Sequence, residues 1–259
     1  SRDWRLALAR VPEPLPALAP RLAAAEPDGF QGTIHYTKGQ LFLEYLEQAI
    51  GREAFDAFLA EYFREFAFDT ITTEGFLDYL DQELLSQEGA PVTREQAEQW
   101  THGPGLPDGA PVPSSANLDN AEQLAAEWAV GETELADFSI ADWSPQARIH
   151  FINSLPGDLA HDRLAELDTA WGLSDTTNAE IGRTWFIQVA QRRYEPAYDK
   201  LEAHLNRYGR GRLIAPVYFA LASNGEDREL ALELFERAKP AYHPIAVAWI
   251  EGGLRRAAE

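Results

Sequence analysis

The sequence predicts an all-α protein in two parts. Apolar residues recur at helical spacing through nearly all of the chain after residue 35, and no segment alternates as a half-buried strand would. A proline- and glycine-rich stretch interrupts that pattern once, between Gln87 and Ser115. Beyond it the helices follow one another at roughly twenty residues per helix and turn, the spacing of an armadillo- or HEAT-like α-solenoid.

The elements can be taken in order. Residues 1–35 are rich in proline, alanine and glycine, and Pro12, Pro14, Pro16 and Pro20 forbid a long helix there, so they read as loop with short helical pieces. From Lys38 the run Leu41, Phe42, Tyr45, Leu46 and Ala49 predicts a first helix that Gly51 ends. Phe55, Phe58, Leu59, Tyr62, Phe63 and Phe66 form the stripe of a second, amphipathic helix. A third starts near Thr72 and Thr73, whose hydroxyls can cap free backbone N–H groups, and runs through Phe76, Leu77, Leu80, Leu84 and Leu85.

Between Gln87 and Ser115 the chain reads as a linker or strap, with Gly103, Pro104, Gly105, Pro107, Gly109, Pro111 and Pro113 crowded together. A domain boundary is expected here: residues 1–107, a linker over 108–114, and a helical domain over 115–259. Leu118, Ala121, Leu124, Ala125 and Trp128 make the first stripe of that domain. Ser144 and Pro145 open the next helix as N-cap and first-turn proline, ahead of Ile149 and Ile152. Later stripes centre on Leu164 and Leu167, on Ile181, Trp185 and Val189, and on Leu201 and Leu205. The last are Val217, Tyr218 and Leu221, then Leu230, Leu234 and Phe235, then Ile245, Ala248 and Trp249.

Composition narrows the function. Forty-two acidic against 22 basic residues give a net charge of −20, which argues against nucleic acid or an anionic membrane as partner. The absence of cysteine excludes disulfides, thiol nucleophiles and cysteine-bound zinc. No apolar run has the length of a membrane span, so a soluble protein of cytoplasm or periplasm is expected. The histidines are His35, His102, His150, His161, His204 and His243, and no two lie four apart, so the His-Glu-x-x-His helix of zinc peptidases is not in this sequence.

Four segments carry more specific information. They are Tyr36-Thr37-Lys38-Gly39 running into Leu41–Glu47, then Ile71-Thr72-Thr73-Glu74-Gly75-Phe76, then Trp100-Thr101-His102-Gly103-Pro104-Gly105-Leu106-Pro107, and last Gly209-Arg210-Gly211-Arg212. In this order and spacing they resemble the C-terminal portion of the zinc aminopeptidases of the aminopeptidase N and leukotriene A(4) hydrolase family. The ending Tyr242-His243-Pro244-Ile245 fits as well. The resemblance implies that residues 1–107 are the helical end of a thermolysin-like catalytic domain, followed by the family's α-helical solenoid. It implies a peptidase that uses zinc as the intact enzyme, with all metal ligands upstream of Tyr36. This chain is therefore expected to bind no catalytic zinc, to be inactive alone, and to partner the N-terminal part of the enzyme.

The same resemblance gives residues their roles. Tyr36 matches the catalytic tyrosine that donates a hydrogen bond to the tetrahedral intermediate. A phenol is protonated near neutral pH, so it can stabilise an oxyanion without adding negative charge. Arg210 matches an arginine that grips the carboxylate of a short peptide substrate, and Arg212 replaces the family's lysine while keeping its charge. Apart from the resemblance, Gly209 can sit in the left-handed conformation behind a helix C-terminus, where Arg210 and Arg212 would complement the helix dipole. Asp28 matches an aspartate that directs water in an epoxide reaction, but Gln31 stands where that reaction uses a second tyrosine. Both are candidate pocket residues of a peptidase site. Thr37 replaces the family's glutamate and His35 its proline. The rival readings are a helical-repeat interaction module, which would not need the Tyr36 segment, and a non-catalytic paralogue.

Overall fold

The structure, a computed structural model, describes residues 17–19, 34–111, 114–138 and 140–256. The loop predicted over 1–35 lies almost wholly outside the described residues, as do Asp28 and Gln31. Every regular element among the described residues is helical. None of these helices is long and apolar enough to cross a membrane. The chain divides into two compact units, Ser1–Ser114 and Ser115–Glu259.

Among its described residues the first unit holds four α-helices. α1 spans Ile34–Ile50 and α2 spans Arg52–Glu65, joined at Gly51, whose φ of 87° turns the chain between them. α3 spans Thr73–Leu80. The Thr72 hydroxyl caps it, accepting the Gly75 N–H at 3.0 Å as the paired threonines predict. A π-type turn, Asp81–Leu85, continues α3 and buries Leu85. α4, Arg94–His102, corrects the linker reading. Its start is a capping box in which Thr93 and Gln96 each accept the other's backbone N–H. It buries Ala97 and Trp100, and the Trp100 ring stacks on Phe42 of α1 at 5.6 Å. α1 also begins earlier than its apolar pattern suggests, so Tyr36 lies inside the helix and not ahead of it.

The aromatic stripe of α2 is only partly covered. Phe55 and Phe58 are buried, and Tyr62 packs edge-on against Phe76 of α3 at 5.7 Å. Phe63, on the same stripe, stays 68% exposed.

The second unit packs eight α-helices among its described residues, in the side-by-side manner of a solenoid. They are α5 (Ala116–Ala129), α6 (Pro145–Asn153), α7 (His161–Trp171), α8 (Ala179–Gln191), α9 (Tyr198–Arg207), α10 (Gly211–Ser223), α11 (Arg228–Ala238) and α12 (Pro244–Arg256). α6, α8, α10 and α12 form one row, each against the next. α5 packs on α6, while α9 and α11 pack on each other and on α8 and α10 respectively. Ser144 caps α6 through the Ala147 N–H at 3.2 Å, with Pro145 in the first turn as predicted. Trp128, Phe151, Trp185, Tyr218 and Phe235 fill the core between the rows.

The last helix corrects the expected stripe. α12 turns Ala246, Ile250 and Leu254 inward and leaves Ile245, Ala248 and Trp249 exposed. Trp249 lies across Gly211, where an added Cβ would stand 3.0 Å from its ring. That close approach is why the first residue of α10 is glycine.

Candidate functional site

α1 has two faces, and they sort the residues of the Tyr-Thr-Lys-Gly segment. Lys38, Leu41, Phe42 and Leu46 recur at helical spacing and are buried. Tyr36 is about 200° from Lys38 around the helix axis, so burying one directs the other outward. Tyr36 is accordingly 82% exposed, and its hydroxyl makes no hydrogen bond to any described residue.

Tyr36 stands at an open groove of about 940 Å³. Leu43 and Glu47 line it from α1, and Phe55, Leu59 and Phe63 from α2. Glu47 faces Arg52 at 3.4 Å, so its charge is partly offset. The groove thus offers an apolar floor and an O–H donor without an internal partner. Such a donor can stabilise an oxygen that gains negative charge.

Lys38 is the residue whose role the sequence reading missed. Its ammonium is 0% exposed and donates to the Gly103 carbonyl at 2.7 Å. Burial without a neighbouring carboxylate pushes its pKa down from 10.5 to about 8. The available signal was a lysine on a stripe that is otherwise apolar.

The second unit carries the two arginines. Arg210 is the N-cap residue of α10, in extended backbone (φ −78°, ψ 117°), and its exposed side chain makes no ion pair among the described residues. Arg212, the second residue of the same helix, pairs with Glu180 at the start of α8. Glu180 also faces Arg183 at 3.4 Å, so one carboxylate serves two guanidinium groups. Gly209 does not take the left-handed conformation open to it. α9 ends instead through Tyr208 in extended backbone, whose N–H donates to the His204 carbonyl at 3.2 Å.

Among the described residues no three His, Asp or Glu side chains gather as metal ligands.

Comparison with known proteins covers both units. Residues 143–254 match the family model described as leukotriene A4 hydrolase, C-terminal, and residues 18–100 match the peptidase family M1 domain. The chain is 30% identical over 250 residues to leucine aminopeptidase 2-2 of Scheffersomyces stipitis, covering 90% of this chain and 39% of that protein. It is 27% identical over 239 residues to human aminopeptidase B, covering 87% and 37% respectively. The solved structure of native yeast LTA4 hydrolase superposes with a TM-score of 0.78 at 26% identity, over 98% of this chain and 44% of that one. The chain therefore spans about two fifths of the length of the curated relatives it matches.

Proposed function

We infer the function of this chain from what it corresponds to, the C-terminal, leukotriene A4 hydrolase-like region of an M1-family aminopeptidase-like protein. The intact protein is a zinc aminopeptidase that removes N-terminal residues from short peptides. Residues 1–107 are the helical end of its thermolysin-like catalytic domain, and 115–259 are its C-terminal solenoid. The observation that carries this reading is the exposed, unpartnered phenol of Tyr36 at the mouth of an apolar groove, within the Tyr-Thr-Lys-Gly segment.

The division of labour follows from the residues. On this reading, and as the family resemblance implies, the metal and the water it activates belong to a portion of the protein upstream of Tyr36. Tyr36 donates its O–H to the oxyanion that forms at the scissile carbonyl. Arg210, which has no competing carboxylate among the described residues, takes the C-terminal carboxylate of the peptide through paired hydrogen bonds. Arg212 adds its charge while Glu180 holds it in place. A requirement for that carboxylate favours di- and tripeptides over long chains. Asp28 and Gln31, which lie outside the described residues, are proposed as further substrate contacts on the resemblance alone.

The decisive experiment replaces Tyr36 by phenylalanine in the complete, zinc-containing protein. Turnover should fall by about a hundredfold or more, with substrate binding little changed. Unaltered turnover removes Tyr36 from the mechanism. Peptide hydrolysis or stoichiometric zinc in this chain by itself would overturn the division of labour.

A further inference from the structure

Lys38 is fully buried, and the described structure gives its ammonium no counter-ion. Leucine or methionine would fill the same space on an apolar stripe without the cost of burying a charge. Such a lysine needs a reason, and its contact supplies one. Gly103 is the C-cap of α4, where the last carbonyls lack helical N–H partners and the helix dipole is negative. The ammonium of Lys38 meets that carbonyl at 2.7 Å across 65 residues of chain.

The surroundings make this contact a fixed point. The Gly103 N–H bonds to the Gln99 carbonyl at 3.1 Å, and a Cβ on Gly103 would stand 2.4 Å from that same oxygen. The α4 terminus is therefore closely defined. One turn along α1, Phe42 stacks on Trp100. On the other side of the same terminus, the Thr101 carbonyl accepts the Ala19 N–H at 2.9 Å. The N-terminal half of α1 is thus held to α4 by one charged hydrogen bond and one aromatic stack.

We propose that Lys38 is a positioning residue for Tyr36: its bond to the Gly103 carbonyl sets the rotation of the first turn of α1 and so the direction in which the phenol points. This rests on the assignment of Tyr36 as the oxyanion donor. Lys38 and Tyr36 lie two positions apart, on opposite faces of one helical turn, so rotation of the turn about its axis moves both together. A displacement of about 1 Å at a reacting group is enough to cost on the order of a hundredfold in rate.

The test has two arms. In this chain, Lys38→Met keeps the volume and removes the ammonium. Hydrogen exchange at the amides of 37–42 and 102–104 should accelerate together by about tenfold or more, while 145–256 stays unchanged. The chain has no cysteine, so Lys38→Cys can be aminoethylated at one site, and the rebuilt amine should restore protection. Unchanged exchange in Lys38→Met, or failure of the rebuilt amine to restore it, overturns the contact as a latch. In the complete zinc-containing protein, Lys38→Met should lower kcat by about tenfold with KM within about twofold. In a Tyr36→Phe background the same substitution should change kcat by less than about twofold, because its effect runs through the phenol. A full additional loss in that background overturns the positioning role and leaves Tyr36 standing. If Tyr36→Phe itself keeps full turnover, the reading of Tyr36 falls and the positioning role falls with it, whatever the exchange data give.

Discussion

Tyr218 donates its hydroxyl hydrogen to the oxygen of Tyr242 at 2.9 Å, and Tyr242 passes its own to the Leu205 carbonyl at 2.8 Å. This buried relay joins α10, the residues before α12, and α9. Burial holds both phenols above their ordinary pKa, so they remain neutral donors. The direction of the relay makes the two tyrosines unequal. Tyr242→Phe strands both the Tyr218 hydroxyl and the Leu205 carbonyl and should cost about 1–3 kcal/mol of stability. Tyr218→Phe leaves the bond to Leu205 intact and should cost less. Urea unfolding of the two variants in this chain measures the difference, and equal losses would contradict the assigned direction.

Tyr36 should behave in the opposite way. With its side chain 82% exposed, Tyr36→Phe should leave the stability of this chain within about 0.5 kcal/mol of the parent. A larger shift in the unfolding midpoint would mean that the hydroxyl has a structural partner. The same substitution would then be an ambiguous probe of catalysis.

The arginines separate by their partners. Arg210→Ala should raise KM for a dipeptide by about tenfold or more in the complete protein, and have little effect when the peptide C-terminus is amidated. Arg210→Lys should recover only part of the loss, since an ammonium offers no paired fork. Arg212→Ala frees Glu180 as well as removing a charge, so it should also alter the thermal unfolding of this chain, which Arg210→Ala should not. Comparing KM across free and amidated peptides tests the carboxylate assignment directly.

His204 sets an acid limit. Burial, the largest influence, brings its pKa from 6.5 down to about 4, with nearby Arg207 lowering it further and a backbone hydrogen bond at Leu213 acting the other way. Between those values the unfolded chain takes up a proton that the folded chain refuses. Stability contributed by this group is therefore complete above about 6.5 and is lost as pH falls toward about 4. Unfolding midpoints over that window should fall for the parent and fall less for His204→Gln.

Much of the fold was legible because the boundary signals are local. Thr72, Ser144 and Pro145 act where they stand, and the stripes of α5 to α11 bury the side chains that their spacing selects. α4 was missed because the glycines and prolines of 103–113 coloured the reading of the residues before them. The capping box of Thr93 and Gln96 was the signal that could have found it. α12 went wrong for a different reason. Ile245, Ala248 and Trp249 keep helical spacing, but so do Ala246, Ile250 and Leu254. Only packing against α10, where Gly211 leaves room for the Trp249 ring, decides which set faces inward. At the site, the exposure of Tyr36 follows from the periodicity of α1, whereas the Lys38 contact joins residues 65 apart and has no local signature.

The uncovered stripe of α2 has a consequence for the protein in solution. Phe63 is exposed, and so is Phe68 just beyond the helix, on a molecule whose net charge is −20. At low ionic strength, mutual repulsion keeps these rings of neighbouring molecules apart. Salt shortens the reach of that repulsion to about 10 Å at 0.1 M and about 3 Å at 1 M, while the attraction between apolar rings persists. The colloidal behaviour of this chain is therefore inverted relative to a protein held together by ionic contacts: it should disperse in dilute buffer and self-associate as salt is added.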